Sequence, residues 1–262
     1  MSTLLQSSRL MVHPAAAQVV MEVLRDPAAA NEAGRDISRL VMTDPALSAV
    51  VLRAANSAHL GYSGRISSVR QATIMLGATL VGSLAAGRVA DLVFDQSPNV
   101  YPDWLWLHSL AVGCSSAVVA RHMGESVDDA YTVGILHDVG YLLEASARGP
   151  LGVASDHAEL GADLLRRWNL PEPVVNAVRT HHLLVGSLAG TRIPLDQVPA
   201  LSRAVVAGHA IADALGVPSP EHSEPLAAAL SLVQLDHVRP GTIVSEAEVQ
   251  LATLTTELGG SR

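Results

Sequence analysis

The chain has 262 residues and a formal net charge of −8, and all 17 of its basic residues are arginines. Those arginines are scattered, whereas nucleic-acid-binding proteins usually concentrate basic residues on one face, so direct nucleic-acid binding is disfavoured. No apolar run approaches the roughly 20 residues that a membrane-spanning helix needs, and the N-terminus lacks the pattern of a signal peptide. Cys114 is the only cysteine, which excludes an internal disulfide and indicates a cytoplasmic location.

The composition predicts an all-α fold. Hydrophobic residues make up 49% of the chain and aromatic residues only 3%, so alanine, leucine and valine must build the core. Alanine and leucine are strong helix formers, and no segment shows the alternation of period two that is typical of strands.

Helix signals begin early in the chain. Asp44 followed by Pro45 is typical of a helix N-cap and first helical position. Ser67 or Ser68 is expected to cap the next helix, and Gly77 is expected to end it.

A polar stretch with two prolines, residues 95–102, then predicts a boundary. It divides an N-terminal helical subdomain, residues 1–100, from a second helical subdomain, residues 101–262. We expect Asp103 to cap a long helix that reaches Gly124.

The second half continues as helices. Ser126 is expected to cap a helix running to about Ala147, and Ser155 or Asp156 to open the next one. A later helix stops at Gly216. Two amphipathic helices are expected to finish the chain, near residues 224–235 and 245–258.

The eleven histidines suggest chemistry only where they occur with aspartates. A single histidine is more often a surface residue or a hydrogen-bonded core residue, and this interpretation applies to His13, His59, His122, His209, His222 and His237. The other positions follow one another on separate predicted helices and include acidic residues: His108, His137, Asp138, His157, His181, His182 and Asp213.

These side chains are the kind that hold metal ions. His137 and Asp138 leave a helix about 100° apart, so they can straddle a point directly over its face. Neutral imidazoles and a carboxylate suit Zn, Fe, Mn or Ni, and a bridging aspartate could hold two ions. The apolar run Gly134 to Gly140 predicts burial, and a buried ionised aspartate is costly without compensation. Two interpretations stay open: a metal ion, or hydrogen bonds from a buried histidine and backbone donors.

The motifs resemble known families. GILHDVG (134–140), DHAELGADLLRRWNLPE (156–172) and VRTHH (178–182) are similar to the HD superfamily of metal-dependent phosphohydrolases. The segment MTDPALSAVVLRAANSAHLGYSGRISSVRQATIMLG (42–77) resembles the HDOD family, the HD-related output domains of bacterial signalling proteins. Together the resemblance covers roughly residues 14–215.

The resemblance implies an N-terminal helical bundle packed against an HD-like helical bundle. It also implies a regulatory or partner-binding module of bacterial signal transduction, acting with signalling proteins on other chains, for which catalysis is not generally established. In catalytic HD proteins the positions that match His108, His137, Asp138 and Asp213 would hold one metal ion. Those matching His157, and His181 or His182, would help to bind a second.

The chain departs from the HD-GYP type of cyclic-dinucleotide phosphodiesterase. That type has a lysine two residues after the aspartate, where Gly140 stands here, and a Gly-Tyr-Pro signature after the histidine pair, which is absent. Two functions remain. The first is a non-catalytic regulatory module with or without a metal site. The alternative is a metal-dependent phosphohydrolase acting on a nucleotide or other phosphoester, with phosphate contacts from Arg121, Arg148 or Arg179.

Overall fold

The computed structural model describes residues 10–25, 30–61, 64–94, 101–148, 157–182, 198–217, 219–220 and 223–258. These residues form helices and turns with no strand among them, so the predicted all-α class is confirmed. Most of the boundary predicted at residues 95–102, namely residues 95–100, lies outside the described residues. The cap predicted at Ser155 or Asp156 also lies outside them, and the division into two subdomains stays a prediction.

The helices follow one another in a simple order. The first half contains α1 (Pro14–Arg25), α2 (Ala30–Thr43), α3 (Pro45–Ala55) and α4 (Val69–Phe94), with a 3₁₀ turn at Ala58–Leu60. The second half contains α5 (Leu105–Met123), α6 (Val127–Leu136), α7 (Val139–Arg148), α8 (His157–Arg167), α9 (Glu172–Thr180), α10 (Ala200–Ala214), α11 (Leu226–Leu232) and α12 (Pro240–Leu258).

Three predicted helix caps are confirmed. The Asp44 carboxylate accepts a hydrogen bond from the backbone N–H of Leu47 at 2.9 Å and another from His13 at 2.8 Å. The hydroxyls of Ser68 and Ser126 accept from the N–H three residues further on, at 3.2 and 3.3 Å. Each cap satisfies a backbone donor that the first helical turn leaves unpaired.

Of two further predicted helix ends, one differs from expectation. Asp103 does not cap α5, because the residue at the N-cap position is Trp104 and no side chain bonds the first turn there. Gly77 interrupts α4 as expected, because its φ of 73° and ψ of 157° are not helical, and a second helical segment runs from there to Phe94. That left-handed conformation is open to glycine and strained for other residues.

The helices of both halves share one continuous apolar core. In the first half α4 packs against α1, α2 and α3. In the second half α5 is the central helix, contacted by α6, α10 and α12 and buried along most of its length. The largest buried cluster runs from Leu10 to Val217, and α5, α10, α11 and α12 enclose a smaller one.

One described segment, Val69–Ala90, is long and apolar enough by length and composition to cross a bilayer, although the sequence analysis expected no such segment. It forms most of α4, which packs on three other helices and is kinked at Gly77. Core helices of folded bundles have the same length and composition.

Candidate metal centre

Seven polar side chains meet beside α5 in the centre of the second half. They come from α5, from the turn after α6, from the start of α8, from the turn after α9 and from α10. Six of them are at most 6% exposed and the seventh, His182, is partly buried. The members are His108, His137, Asp138, His157, His181, His182 and His209.

The pair His137-Asp138 stands in a turn, not on the single helix that the sequence predicts for residues 127–147. Helix α6 ends at Leu136 and α7 begins at Val139. The His137 ring explains the break, because its Nδ1 donates to the carbonyl oxygen of Gly134 at 2.6 Å. In a continuous helix that carbonyl would accept from the backbone N–H of Asp138. The turn therefore replaces the helix-face geometry expected from the sequence.

Glycines allow the helices that carry these side chains to approach closely. A Cβ atom added at Gly134 on α6 would lie 2.6 Å from the Cα of Gly113 on α5. One added at Gly208 on α10 would lie 3.0 Å from the backbone nitrogen of Ser116 and 3.1 Å from the carbonyl oxygen of Val112. Since close backbone approach excludes larger residues, these glycines hold α6 and α10 against α5.

A third glycine positions His157. A Cβ added at Gly140 on α7 would lie 2.7 Å from the carbonyl carbon and 2.9 Å from the Cα of His157, and closer still to its carbonyl oxygen. The first residue of α8 therefore occupies the space that any side chain at position 140 would need. This packing also explains why a lysine cannot stand at that position without moving α8.

Asp138 lies between two groups of histidines. Its Oδ1 is 3.2 Å from Nε2 of His157 and 3.4 Å from Nε2 of His181. Its Oδ2 is 3.0 Å from Nε2 of His137 and 3.7 Å from Nε2 of His108. One carboxylate thus faces both groups, one oxygen to each, as a bridging ligand would.

We name the two groups by their composition. The carboxylate lobe consists of Asp138, His157, His181 and His182, and the imidazole lobe of His108, His137 and His209. Within each lobe, the potential ligand atoms all lie within 4.8 Å of one another. In the carboxylate lobe, Nε2 of His157 is 3.0 Å from Nε2 of His182 and 3.3 Å from Nε2 of His181.

Two hydrogen bonds decide which ring nitrogen faces the cluster. Nδ1 of His137 donates to the Gly134 carbonyl at 2.6 Å, and Nδ1 of His181 donates to the Val178 carbonyl at 2.5 Å. A carbonyl oxygen only accepts, so Nδ1 carries the proton and, in the neutral ring, Nε2 carries a lone pair. Metal-binding histidines are usually oriented by such a bond to a backbone carbonyl.

The charge states of the cluster fit a cation. Burial opposes ionisation of Asp138, but His137, His157 and His181 outweigh it and hold the pKa of that carboxyl well below its usual range. Burial lowers the pKa of His181 to about 3, despite the opposing effect of Asp138. Burial, with His137 and His108 nearby, also holds the pKa of His209 well below its usual range.

The Asp138 carboxylate and the neutral imidazole of His181 therefore face each other in a buried space, 3.4 Å apart. Oδ1 of Asp138 and Nε2 of His137 have no hydrogen-bond partner among the described residues, and Nε2 of His137 lies 3.0 Å from Oδ2 of Asp138. Lone pairs at that distance repel unless a proton or a cation lies between them. The residues present fit a divalent transition metal ion, and hydrogen bonds from the buried histidines to Asp138, the alternative left open above, fit the same distances.

Helix α10 contributes a different residue from the one expected. Asp213 is exposed, and its Oδ2 accepts from the hydroxyl of Ser223 at 2.5 Å, so the structure does not bring it into the cluster. His209, one helical turn earlier, places its ring centroid 4.7 Å from that of His108 and 4.6 Å from that of His137. The sequence analysis missed His209, although its place in the apolar run 204–212 is typical of a buried position.

Family comparisons agree with this geometry. The family model of the HDOD domain matches residues 10–150, more than half of the chain. The chain belongs to the HDOD family. A model of the HD domain matches residues 105–215, a range that contains every member of both lobes.

Curated relatives of this HDOD protein match parts of it. An uncharacterized protein of Treponema pallidum (strain Nichols) is 31% identical over 176 residues, which are 57% of this chain and 33% of the relative. Ribonuclease Y of Latilactobacillus sakei (strain 23K) is 34% identical over 86 residues, which are 33% of this chain and 15% of that enzyme. The chain thus spans a third or less of the length of these relatives.

Solved structures share the fold. The MmoQ response regulator of Methylococcus capsulatus (strain Bath) has a TM-score of 0.67 and 22% identity, with 90% of this chain and 98% of that chain covered. A virulence factor of Campylobacter jejuni has a TM-score of 0.58 and 14% identity, with 97% and 99% covered. At these identities the likeness shows the fold alone.

Proposed function

We propose that this HDOD protein is a cytoplasmic regulatory module of bacterial signal transduction that binds a divalent transition metal in the buried cluster and acts by contacting signalling proteins on other chains. The observation that carries the proposal is the convergence of Asp138, His137 and His181 lone pairs at 3.0–3.4 Å inside the core. The signalling role is supported by the family and by the fold shared with a response regulator.

A bound ion would link otherwise separate parts of the second half. The ligands come from five elements that are far apart in the sequence, from α5 to α10. An ion that binds the folded chain and not the unfolded chain stabilises it by mass action, about 4 kcal/mol when its concentration is 1,000 times Kd. The metal would therefore set the stability and shape of the surface that partners meet.

The surroundings of the cluster favour regulation over phosphate chemistry. Gly140 leaves no room for the lysine of cyclic-dinucleotide phosphodiesterases. Arg179 is paired with Glu159 at 2.7 Å and Asp163 at 3.1 Å, and Arg121 lies 3.6 Å from a carboxylate oxygen of α12. The side chain of Arg148, also expected as a phosphate contact, lies outside the described residues. Phosphate transfer needs cationic groups that neutralise developing charge, and these arginines face carboxylates.

The proposal is tested by metal analysis combined with turnover assays. Purified protein is stripped with chelator, reloaded with Zn²⁺, Fe²⁺, Mn²⁺ or Ni²⁺, and assayed for bound metal and for hydrolysis of phosphodiesters and nucleotides. We expect bound metal without turnover, and loss of metal in Asp138→Asn but not in the matched surface variant Asp213→Asn. Tagged protein at native expression should enrich signalling proteins over an equally abundant tagged control protein. A loaded protein that turns over substrate, or a protein that takes up no metal, contradicts the proposal.

A metal-dependent phosphohydrolase is the second candidate. It is favoured by the position of Asp138 between two lobes that each hold three imidazoles and by the partial similarity to ribonuclease Y. Bound divalent ions would supply charge neutralisation and water activation for attack on phosphorus, and Asp138 would position them. Turnover that requires metal and disappears in Asp138→Asn, while the circular dichroism spectrum is unchanged, would establish this candidate instead.

A further inference from the structure

The imidazole lobe contains a ligand that the resemblance to HD proteins does not assign. The resemblance implies an aspartate, Asp213, as the fourth ligand to one metal, but that side chain is at the surface. The ring that α10 turns towards His108 and His137 belongs to His209, which is only 6% exposed. Its Nε2 has no hydrogen-bond partner within the part of the chain that the structure describes, although buried polar atoms are nearly always paired.

A histidine where an aspartate ligand was expected changes the chemistry of the imidazole lobe. The lobe consists of three imidazoles, and Oδ2 of Asp138 lies 3.0 Å from Nε2 of one of them, His137. Hard cations such as Mg²⁺ and Mn²⁺ prefer carboxylate, carbonyl and water oxygens, whereas imidazole suits Zn²⁺, Fe²⁺, Co²⁺ and Ni²⁺. An aspartate in place of His209 would add a second carboxylate to the lobe and reverse much of that preference.

The packing of α10 holds His209 in this place. Gly208, its neighbour in the sequence, lies so close to α5 that an added Cβ would be 3.0 Å from the backbone nitrogen of Ser116. Helix α10 therefore has little freedom to rotate and turn the His209 ring away from the cluster. A helix rotates by about 100° per residue, so residues four apart share a face. The two side chains nevertheless differ in depth, because Asp213 lies near the end of α10 and bonds to Ser223.

We propose that His209 is a specificity-determining ligand, which makes the imidazole lobe select nitrogen-preferring transition metals over Mn²⁺ and Mg²⁺. This inference rests on the proposed metal-binding function. It concerns which metal the chain accepts, and it does not depend on whether the protein is a regulator or a hydrolase.

The test compares binding of two metals by metal-stripped full-length protein. Co²⁺ and Mn²⁺ affinities are measured by calorimetry for the wild type, His209→Asp, His209→Asn and the surface control His122→Asn. Most nitrogen and oxygen sites bind Co²⁺ more tightly than Mn²⁺, so the informative quantity is the change in the affinity ratio between variants. An added negative charge raises the affinity for every divalent ion, and this general gain cancels in the ratio of the Co²⁺ and Mn²⁺ affinities. His209→Asn provides an uncharged oxygen donor and keeps the comparison available if the aspartate variant does not fold.

We expect the Co²⁺-to-Mn²⁺ affinity ratio to fall at least tenfold in His209→Asp and in any folded His209→Asn, and to stay unchanged in His122→Asn. The visible spectrum of bound Co²⁺ should change in the two His209 variants, because its bands depend on ligand type and coordination number. If the wild type binds metal and the His209 variants keep both its affinity ratio and its Co²⁺ spectrum, the role of His209 is refuted while the proposed function stands. If the wild type binds no metal at all, both proposals fail.

Discussion

Replacing Gly140 by alanine tests whether the packing of α7 on α8 builds the cluster. The added Cβ would lie 2.7 Å from the carbonyl carbon of His157, whereas two carbon atoms in favourable contact are about 3.5–4.0 Å apart. The start of α8 must therefore withdraw by about 1 Å, and with it the His157 ring. Metal sites tolerate ligand displacements of about 0.2 Å, so His157 should no longer act as a ligand.

The expected loss of stability combines two effects of opposite sign. Overpacking of a close interface costs about 1–3 kcal/mol, and alanine in a helix gains up to about 1 kcal/mol over glycine. A net loss of roughly 2 kcal/mol should lower the Tm of a chain of this size by about 4–8 °C. Loss of a hydrogen-bond partner of a metal ligand lowers metal affinity by about 10–100-fold. Displacement of the ligand His157 itself should lower the affinity by at least as much.

Gly87 provides the matched control. It lies exposed on α4, and nothing stands within 4 Å of an added Cβ, so Gly87→Ala should be neutral or stabilise the fold by up to about 1 kcal/mol. Thermal unfolding followed by circular dichroism and calorimetric titration with Zn²⁺ measure both effects. If Gly140→Ala unfolds with the same Tm as Gly87→Ala and binds Zn²⁺ as tightly as the wild type, the packing argument is refuted.

Two further predictions concern the charges of the cluster. Asp138→Asn keeps the shape of the side chain and removes its charge, so we expect the metal affinity measured by calorimetry to fall at least about 100-fold. The control Asp213→Asn should leave the affinity unchanged. Equal effects of the two variants would contradict the bridging position of Asp138. Below pH 6.5 the metal-free protein should lose stability, because the lowered pKa values of His181 and His209 mean that the unfolded chain binds their protons first. For His181, whose pKa is lowered to about 3, the loss reaches about 2 kcal/mol at pH 5. Between pH 7.5 and pH 5, His209→Asn should therefore lose less stability towards urea than the wild type does, because burial holds the pKa of His209 well below its usual range. An equal loss in both proteins would refute the assignment.

Signals that act over three or four residues predicted the local structure well. The carboxylate of Asp44 and the hydroxyls of Ser68 and Ser126 cap helices as expected. The cap predicted at Asp103 was wrong, because α5 begins at Leu105 and Trp104 stands at the N-cap position without a side-chain hydrogen bond. The ring of Trp104 packs on Tyr141 and His108, and the local sequence pattern does not contain such contacts.

The candidate site depended on longer-range geometry. The order of histidines and aspartates correctly indicated six of the seven residues that meet in the cluster. The break between α6 and α7 was missed, because it depends on a hydrogen bond from the His137 ring to Gly134. The burial of His209 beside His108 and His137 was also missed, because it depends on the close contact of Gly208 with α5. Asp213 lies at the surface, bonded to Ser223.

The proposed function requires that Asp138 and the histidines around it hold a metal ion. The most direct measurement is anomalous X-ray scattering from crystals of the protein loaded with Zn²⁺, with stripped and unloaded crystals as the reference. We expect a strong anomalous peak beside Asp138 with nitrogen and oxygen ligands at about 2.0–2.1 Å. Loaded crystals with no peak there, and with Asp138 hydrogen-bonded directly to protonated histidines, would contradict the account.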